Sequence, residues 1–380
     1  MILLAIVLNG LPLLQSSGRV GVSPPGFVVP ARAPVVPAAP ATPVFQEEFV
    51  NPDSPLAMSH VASICELPNG GLAAAWYAGS REGARDVAIC FATQTPGQSG
   101  WSRPRAIVTR ESAAHDLNRG IKKVGNAVIF SDGAGKLWLL YISITVGGWS
   151  GSSLNLTTST DEGNSWTPGR RLTLSPFFNI SELVKNRPVA LLDGSWGVPI
   201  YHELAGKFPE LLWLRETAGE LSATKIRIAG GRSGFQPSLM PLSTNTALAF
   251  LRDCSPRRKI SVARTDDAGL AWSPPQALSL PNPDSGLAAL RLSDGRILLA
   301  FNDSTVGREN LRLAISGDEG RTWTRIATLA EEASAEFSYP FLIQTRAGAI
   351  HLVYTWQRKA IKHVVFNGAW LDARQSAASK

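Results

Sequence analysis

Asp132-Gly133-Ala134-Gly135-Lys136-Leu137-Trp138-Leu139-Leu140-Tyr141 is a tight turn running straight into an apolar strand, and the chain repeats this unit six times. The other copies are Asn69-Gly70 into 72–76, Asp193-Gly194 into 198–201, Thr244-Asn245 into 247–250, Asp294-Gly295 into 297–301, and Ala347-Gly348 into 350–354. The turn positions 70, 133, 194, 245, 295 and 348 stand 50 to 63 residues apart. One hairpin per period, with strands rather than helices between, predicts an all-β fold: a six-bladed β-propeller of four-stranded antiparallel blades. No segment sustains a 3.6-residue period, so almost no helix is expected.

A second repeat runs in phase with the first. Ser159-Thr-Asp-Glu-Gly-Asn-Ser-Trp166, Thr265-Asp-Asp-Ala-Gly-Leu-Ala-Trp272 and Ser316-Gly-Asp-Glu-Gly-Arg-Thr-Trp323 share Ser/Thr-x-Asp-x-Gly-x-x-Trp, and 92–101 is an eroded copy ending in Trp101. The Asp accepts from amides of its own turn, the Gly takes the positive φ, and the Trp is expected to plug the hairpin against its blade. The pattern resembles the Asp box (BNR repeat) of sialidases and related propellers. It is a folding device and says almost nothing about chemistry.

Around this ring the chain divides into an apolar leader (1–22), a Pro/Ala-rich linker (23–43), the propeller (44–370) and a short tail (371–380). The two ends of such a ring usually share a blade, which puts 44–50 beside 361–366 and removes an exposed edge. Residues 2–14 are apolar but too few to span a membrane, so they read as a secretory signal peptide or, lacking a preceding Lys or Arg, as a translated leader. The first reading makes the protein secreted or periplasmic, the second cytoplasmic. Residues 1–43 are expected to pack poorly against the ring.

Composition narrows the partners. The net charge of +7 comes from Arg and Lys scattered over 380 residues, with no basic run interleaved with aromatics. That excludes a nucleic-acid surface and suits an acidic glycan or glycoconjugate. Cys65, Cys90 and Cys254 stand far apart, and the five histidines show no ligand spacing, so neither a disulfide framework, a metal site nor a cofactor is expected. The protein is read as a monomer.

Catalytic groups of a propeller come from loops of many blades, so they should be scattered at blade spacing. Here the resemblance to sialidases, covering roughly 56–366, supplies positions to weigh. Phe337-Ser338-Tyr339-Pro340 is similar to the segment carrying the tyrosine nucleophile, a neutral group that avoids repulsion from an anionic sugar. Tyr339 reads equally as a ring packed at a strand start. Arg252 and Arg308 match positions that bind the substrate carboxylate, and two guanidiniums facing one mouth could clamp it. Each alone also reads as a surface Arg. Asp86, after Trp76-Tyr-Ala-Gly-Ser-Arg-Glu-Gly-Ala-Arg, is similar to the acid/base aspartate, with Arg81 and Glu82 on the same loop. A solvated loop is the alternative.

Two departures matter as much. The family opens blade one with an Arg that completes the carboxylate trio, and this chain has His60 there. The glutamate that assists the tyrosine is replaced by Gln236, which cannot accept a proton. Glu203, in Tyr201-His202-Glu203, is a candidate substitute base. Further polar groups at blade-mouth positions are Lys185-Asn186-Arg187, Asn126, Asn282 with Ser285-Gly286, Asn302, Arg358, Lys362 and His363. The resemblance thus implies a glycosidase of exo-α-sialidase type with Asp86 as acid, Tyr339 as nucleophile, Arg252 and Arg308 as clamp, and His60 altering which acidic sugar fits. Two rivals stay open: β-elimination on a uronate-containing polysaccharide at a basic, glutamate-poor mouth, and a non-catalytic propeller that binds a glycan or protein.

Overall fold

A computed structural model describes residues 24–29, 42–175, 179–228 and 230–378. Among them six antiparallel sheets follow one another along the chain as six blades. Blade one is β2 (Met58–Glu66), β3 (Leu72–Gly79), β4 (Ala88–Gln94) and β5 (Arg105–Val108). Blade two begins with β6 (Lys123–Ser131), blade four with β15 (Gly234–Pro241), blade five with β19 (Ala288–Arg291) and blade six with β23 (Phe337–Gln344). Each predicted turn and apolar run is the hairpin joining the first two strands of its blade, as in Ser131↔Leu137 and Gln344↔Ile350.

The second strands are apolar throughout because both their faces are covered by neighbouring blades. In β3, Ala73, Ala75 and Tyr77 join one core while Leu72, Ala74, Trp76 and Ala78 join the other. Alternate residues of a strand point to opposite faces, so a strand with two buried faces reads as an unbroken run. Each large side chain buried this way stabilises by about 1.5–3 kcal/mol.

Ring closure pairs β1 (Phe45–Phe49) with β25 (Ala360–Phe366), from Phe45↔Phe366 to Phe49↔Lys362. Asn51 pins the joint: its Oδ1 accepts from Ile361 N at 2.8 Å and its Nδ2 donates to Ser59 Oγ at 2.8 Å.

The Asp boxes form as their pattern dictates. In the third, Ser316 Oγ donates to Asp318 Oδ1 (2.8 Å), Thr322 N donates to the same oxygen (2.8 Å), and Gly320 has φ +83°. The Trp, however, packs across the seam rather than onto its own blade. Trp323 of blade five lies 5.8 Å from Phe250 of blade four, and Trp166 of blade two lies 5.7 Å from Phe91 of blade one. Trp323 thus belongs to a cluster with residues of both blades, Leu248 and Phe250 of blade four and Ile297 and Leu299 of blade five, so the box clamps two blades.

One expectation about the ends needs correction. Within the supposed linker, 24–29 is packed: Phe27 is buried, its N–H donates to Thr244 O (2.8 Å), and Val28 N donates to Ala190 O (2.9 Å). One aromatic ring filling the seam between blades three and four outweighs the Pro/Ala composition around it. Beyond the ring, α2 (Gly368–Ala378) runs from the end of the last blade into the tail. Asn367 Oδ1 accepts from Trp370 N (3.0 Å) at its start, and Trp370 and Leu371 are buried, with Phe45 stacked 4.9 Å from Trp370. A one-turn-and-more helix, α1 (Arg110–Asp116), links blades one and two. The leader, residue 23 and residues 30–41 of the linker lie outside the described residues.

Candidate functional site

The innermost strands of blades one, two, four and six share a defect. Register skips from His60 to Ser63, Gly125 to Val128, Phe235 to Ser238 and Ser338 to Phe341. In each gap one non-glycine residue takes a positive φ: Val61 (50°), Asn126 (42°), Gln236 (51°) and Tyr339 (54°). Such residues cost about 1–3 kcal/mol each and persist where a bulge re-aims side chains. All four bulges sit at the same end of the ring, opposite the hairpin turns, and they gather the polar residues of the mouth.

Tyr339 is at the centre. Its hydroxyl is 3.4 Å from Arg252 Nη1, the Arg308 guanidinium lies over its ring at 5.4 Å, and the His60 ring meets it edge-on at 4.9 Å. Gly286 makes room: a Cβ there would stand 3.0 Å from Tyr339 Cδ1 and 3.2 Å from Gln236 Oε1. Arg252, nearly buried, donates through Nε to Asp284 Oδ1 (2.6 Å) and through Nη1 to Gln236 Oε1 (3.1 Å). Arg308 donates to Glu336 Oε1 (3.2 Å) and to Asp284 O (3.1 Å).

A third guanidinium arrives from blade six. Arg358 donates to Glu336 Oε2 (2.6 Å) and pairs with Glu82 of blade one. Its charge bears on His60, and its carbonyl accepts from Ser59 N (2.9 Å). Burial alone would raise the Glu336 pKa, but hydrogen bonds from Arg358 and Ser338 hold it at about 2. Glu82 is likewise held below its ordinary range by Arg358, against the opposing effect of burial. His60 is fully buried, and burial together with Arg358 drives its pKa to about 3, so it is a neutral ring at pH 7, joined through Nδ1 to Thr355 Oγ1 (3.0 Å). Three guanidiniums thus face three carboxylates, those of Asp284, Glu336 and Glu82.

Glu203 differs from these. Burial raises its pKa, partly offset by Lys207 and Arg252, the opposite direction to Glu82 and Glu336. Its N–H donates to Ser181 Oγ (2.7 Å), and its charge bears on Tyr201, whose hydroxyl accepts from Gln236 Nε2 (3.1 Å) and Asn126 Nδ2 (3.0 Å). No hydrogen bond joins Glu203 to Tyr339 among the described residues.

The structure therefore brings together Tyr339, Arg252, Arg308, His60 and Gln236, and leaves out Asp86 and Arg81. Both are exposed on the loop between β3 and β4. The Asp86 carboxylate is used by its own loop, accepting from Ser80 Oγ and Ser80 N at 2.9 Å each, and the side-chain bond first holds its pKa low. Glu82, four residues earlier on the same loop, is the carboxylate that pairs with Arg358. Asp284 and Glu336 were not singled out by sequence reasoning; their signal is a carboxylate preceding a mouth strand, which is weak by itself. Lys362 and His363 belong elsewhere, paired with Glu47 and Glu48 on the outer edge of blade six.

Residues 70–352 match the family model described as a BNR repeat-like domain. The chain belongs to the BNR repeat-like family. Among curated proteins none matches it. Solved structures similar to this BNR repeat-like protein include a Dyadobacter fermentans protein of unknown function (TM-score 0.67, 13% identity, 85% of this chain and 99% of that one). A Hadza microbial sialidase, Hz136, aligns with TM-score 0.67 and 16% identity over 81% of this chain and 65% of that one. The Trypanosoma rangeli sialidase aligns with TM-score 0.67 and 12% identity over 89% and 62%. The BNR repeat-like chain thus spans a little under two thirds of each of these two sialidases, and at such identities the likeness establishes the fold. No helix among the described residues is long and apolar enough to cross a membrane. Among the same residues no group of three or more His, Cys, Asp or Glu is arranged to hold a metal ion.

Proposed function

We propose that this protein is a glycoside hydrolase that removes an acidic sugar from the end of a glycan, with Tyr339 as nucleophile. The observation that carries the reading is the Tyr339 hydroxyl on a strained bulge, 3.4 Å from a nearly buried Arg252 and covered by Arg308. A cation beside a phenol stabilises the phenolate that attacks, and a fixed cation in a desolvated mouth needs no reorganisation as charge develops. Tyr339 Oη, as the phenolate, bonds to the anomeric carbon while the glycosidic C–O bond breaks, and Glu203, whose pKa burial raises, supplies the proton to the leaving oxygen from its acid form. Water then attacks the anomeric carbon of the tyrosyl glycoside, its proton passing to the Glu203 carboxylate as Tyr339 leaves as the phenolate. Arg308 and Arg358, with side chains 20% and 39% exposed, keep N–H groups for the sugar carboxylate.

The sialidases among the structural neighbours support sialic acid or a close relative as the sugar. The test is turnover of a panel of acidic glycosides and uronate polysaccharides with mass analysis of products. A released acidic monosaccharide is expected, and a fluorinated analogue with a good leaving group should leave a mass adduct on Tyr339. Tyr339→Phe should lower turnover by about 10^3-fold or more with melting unchanged. An unsaturated, ultraviolet-absorbing product would instead mean elimination, and binding without any product would mean a lectin-like propeller.

A further inference from the structure

The innermost strand of blade three is broken. β10 (Leu183–Val184) pairs with the mouth end of β12 (Trp196–His202), β11 (Val189–Ala190) pairs with its turn end, and Lys185-Asn186-Arg187-Pro188 crosses the gap. Pro188 has no N–H for a ladder, which fits a break at this point. The break leaves two cations inside the ring. Lys185, nearer the mouth, is fully buried but satisfied, donating to Asn186 Oδ1 (2.7 Å), Leu287 O (2.8 Å) and Pro340 O (2.7 Å). Arg187, nearer the turns, has no hydrogen-bond or ion-pair partner among the described residues, and burial acts on its guanidinium with no charged neighbour to offset it.

Arg187 forms part of the wall of two adjoining cavities at the turn end of the central channel, about 310 and 120 Å³. The larger has two acids, both already used: Glu66 pairs with Arg346 (3.2 Å), and Asp132 Oδ1 accepts from Ala134 N (2.8 Å) of its own turn. The smaller has no acid in its lining. Its second cation is Arg291 of blade five, whose Nη1 donates to Leu242 O (2.8 Å), and its remaining walls are largely apolar, including Leu239, Leu342 and Val28 from the packed N-terminal segment. A half-buried guanidinium lining a cavity, with five donors and no counter-charge beside it, suits an anion.

We propose that this smaller cavity is a binding site for a small monocarboxylate, held by Arg187 and Arg291 and distinct from the mouth, from which Lys185 separates it. A carboxylate presents two coplanar oxygens that match the guanidinium fork, and the apolar walls take a methyl or short alkyl group. The volume is well below the ~300–1,000 Å³ of pockets that hold larger ligands, so a sugar ring is not the occupant.

The experiment uses the full chain and sodium acetate as probe, against chloride at the same ionic strength and pH 7. The melting temperature is expected to climb with the logarithm of acetate concentration above the dissociation constant and to stay flat in chloride. Arg187→Met should lose the acetate response and, freed of an uncompensated charge, melt in chloride no lower than the unmodified protein. Arg291→Gln should weaken the response without abolishing it. Equal responses to both salts, an undiminished acetate response in Arg187→Met, or stabilisation by inorganic phosphate but not acetate overturns the proposal. Should Arg187→Met not fold, line broadening of carbon-13 acetate by the unmodified protein, weakened in Arg187→Lys, supports the site, and absence of broadening refutes it. The mouth proposal stands or falls separately, since turnover by Tyr339 does not depend on this cavity.

Discussion

The two ends of the same innermost strands obey opposite rules. At the turn end of these strands glycines take the positive φ values, as at Gly70 (86°), Gly295 (95°) and Gly348 (86°), and in the Asp boxes the non-glycine residues at positive φ, Glu162 (56°), Ala268 (57°) and Glu319 (59°), are turn positions whose neighbouring amides the box Asp satisfies. At the mouth end Val61, Asn126, Gln236 and Tyr339 hold similar φ values without being glycine, and charged groups crowd together half-buried. The turn end stabilises; the mouth end carries strain that the rest of the ring sustains. This division teaches where function can sit, because side chains forced from their preferred conformations are retained only where their positions matter.

The sharpest way to break the comparison is Arg308→Ala. It should lower kcat/KM by about 10^2–10^3-fold, or roughly 2–4 kcal/mol of transition-state stabilisation, and leave the melting curve almost unmoved. A large fall in melting temperature with unchanged turnover would place Arg308 among the stabilising residues and reverse its assignment.

Gly286→Ala tests positioning. The added Cβ at 3.0 Å from Tyr339 Cδ1 must push the ring aside, and a displacement of this kind should cost about 10–100-fold in kcat with KM little changed. Equal activity in the two proteins would show that the ring tolerates displacement.

Acid should loosen the mouth before the turns. His60 has a folded pKa of about 3 against an ordinary 6.5, and Glu336 about 2 against 4.5. Both are depressed on folding, so each contributes stability that is full above its ordinary value and lost as pH falls towards the folded one. The Asp boxes behave alike, but Asp161 and Asp318 start from 3.8 and fall to about 2, so they lose stability only at lower pH. Between pH 6.5 and 4.5 His60 shares the decline with His202 and His351, whose pKa values burial lowers from 6.5 to about 4 and about 3, so His60→Gln should reduce the slope of melting temperature across that interval without abolishing it. A slope equal to that of the unmodified protein would place the titrating group elsewhere.

The smallest effect is expected from Asp318→Ala. Loss of the turn bonds to Thr322 and Ser316 should lower the melting temperature modestly, with kcat and KM unchanged when measured well below the transition. A change in KM would mean that the seam between blades four and five reaches the mouth.

Much of this molecule was legible because its devices are local. A turn glycine, an alternating strand and an Asp box each act within about ten residues, and their repetition fixed the number of blades and the pairing of 44–50 with 361–366. Tyr339, Arg252 and Arg308 were legible through resemblance, since each sits at a recognisable place in its own blade. The linker expectation missed Phe27, because composition averages over the one ring that a seam can bury. Asp86 and Glu82 show the limit most clearly. They share a loop with no periodicity, four residues apart, and nothing in the sequence says which carboxylate meets Arg358, a residue 276 positions away from Glu82. Which charges pair, which histidine is emptied of its proton, and which cation is left without a partner depend on desolvation and on distances between blades. The sequence by itself determined the ring and its turns, whose causes are local; only the tertiary structure decided the electrostatics of the mouth and channel, whose causes are not.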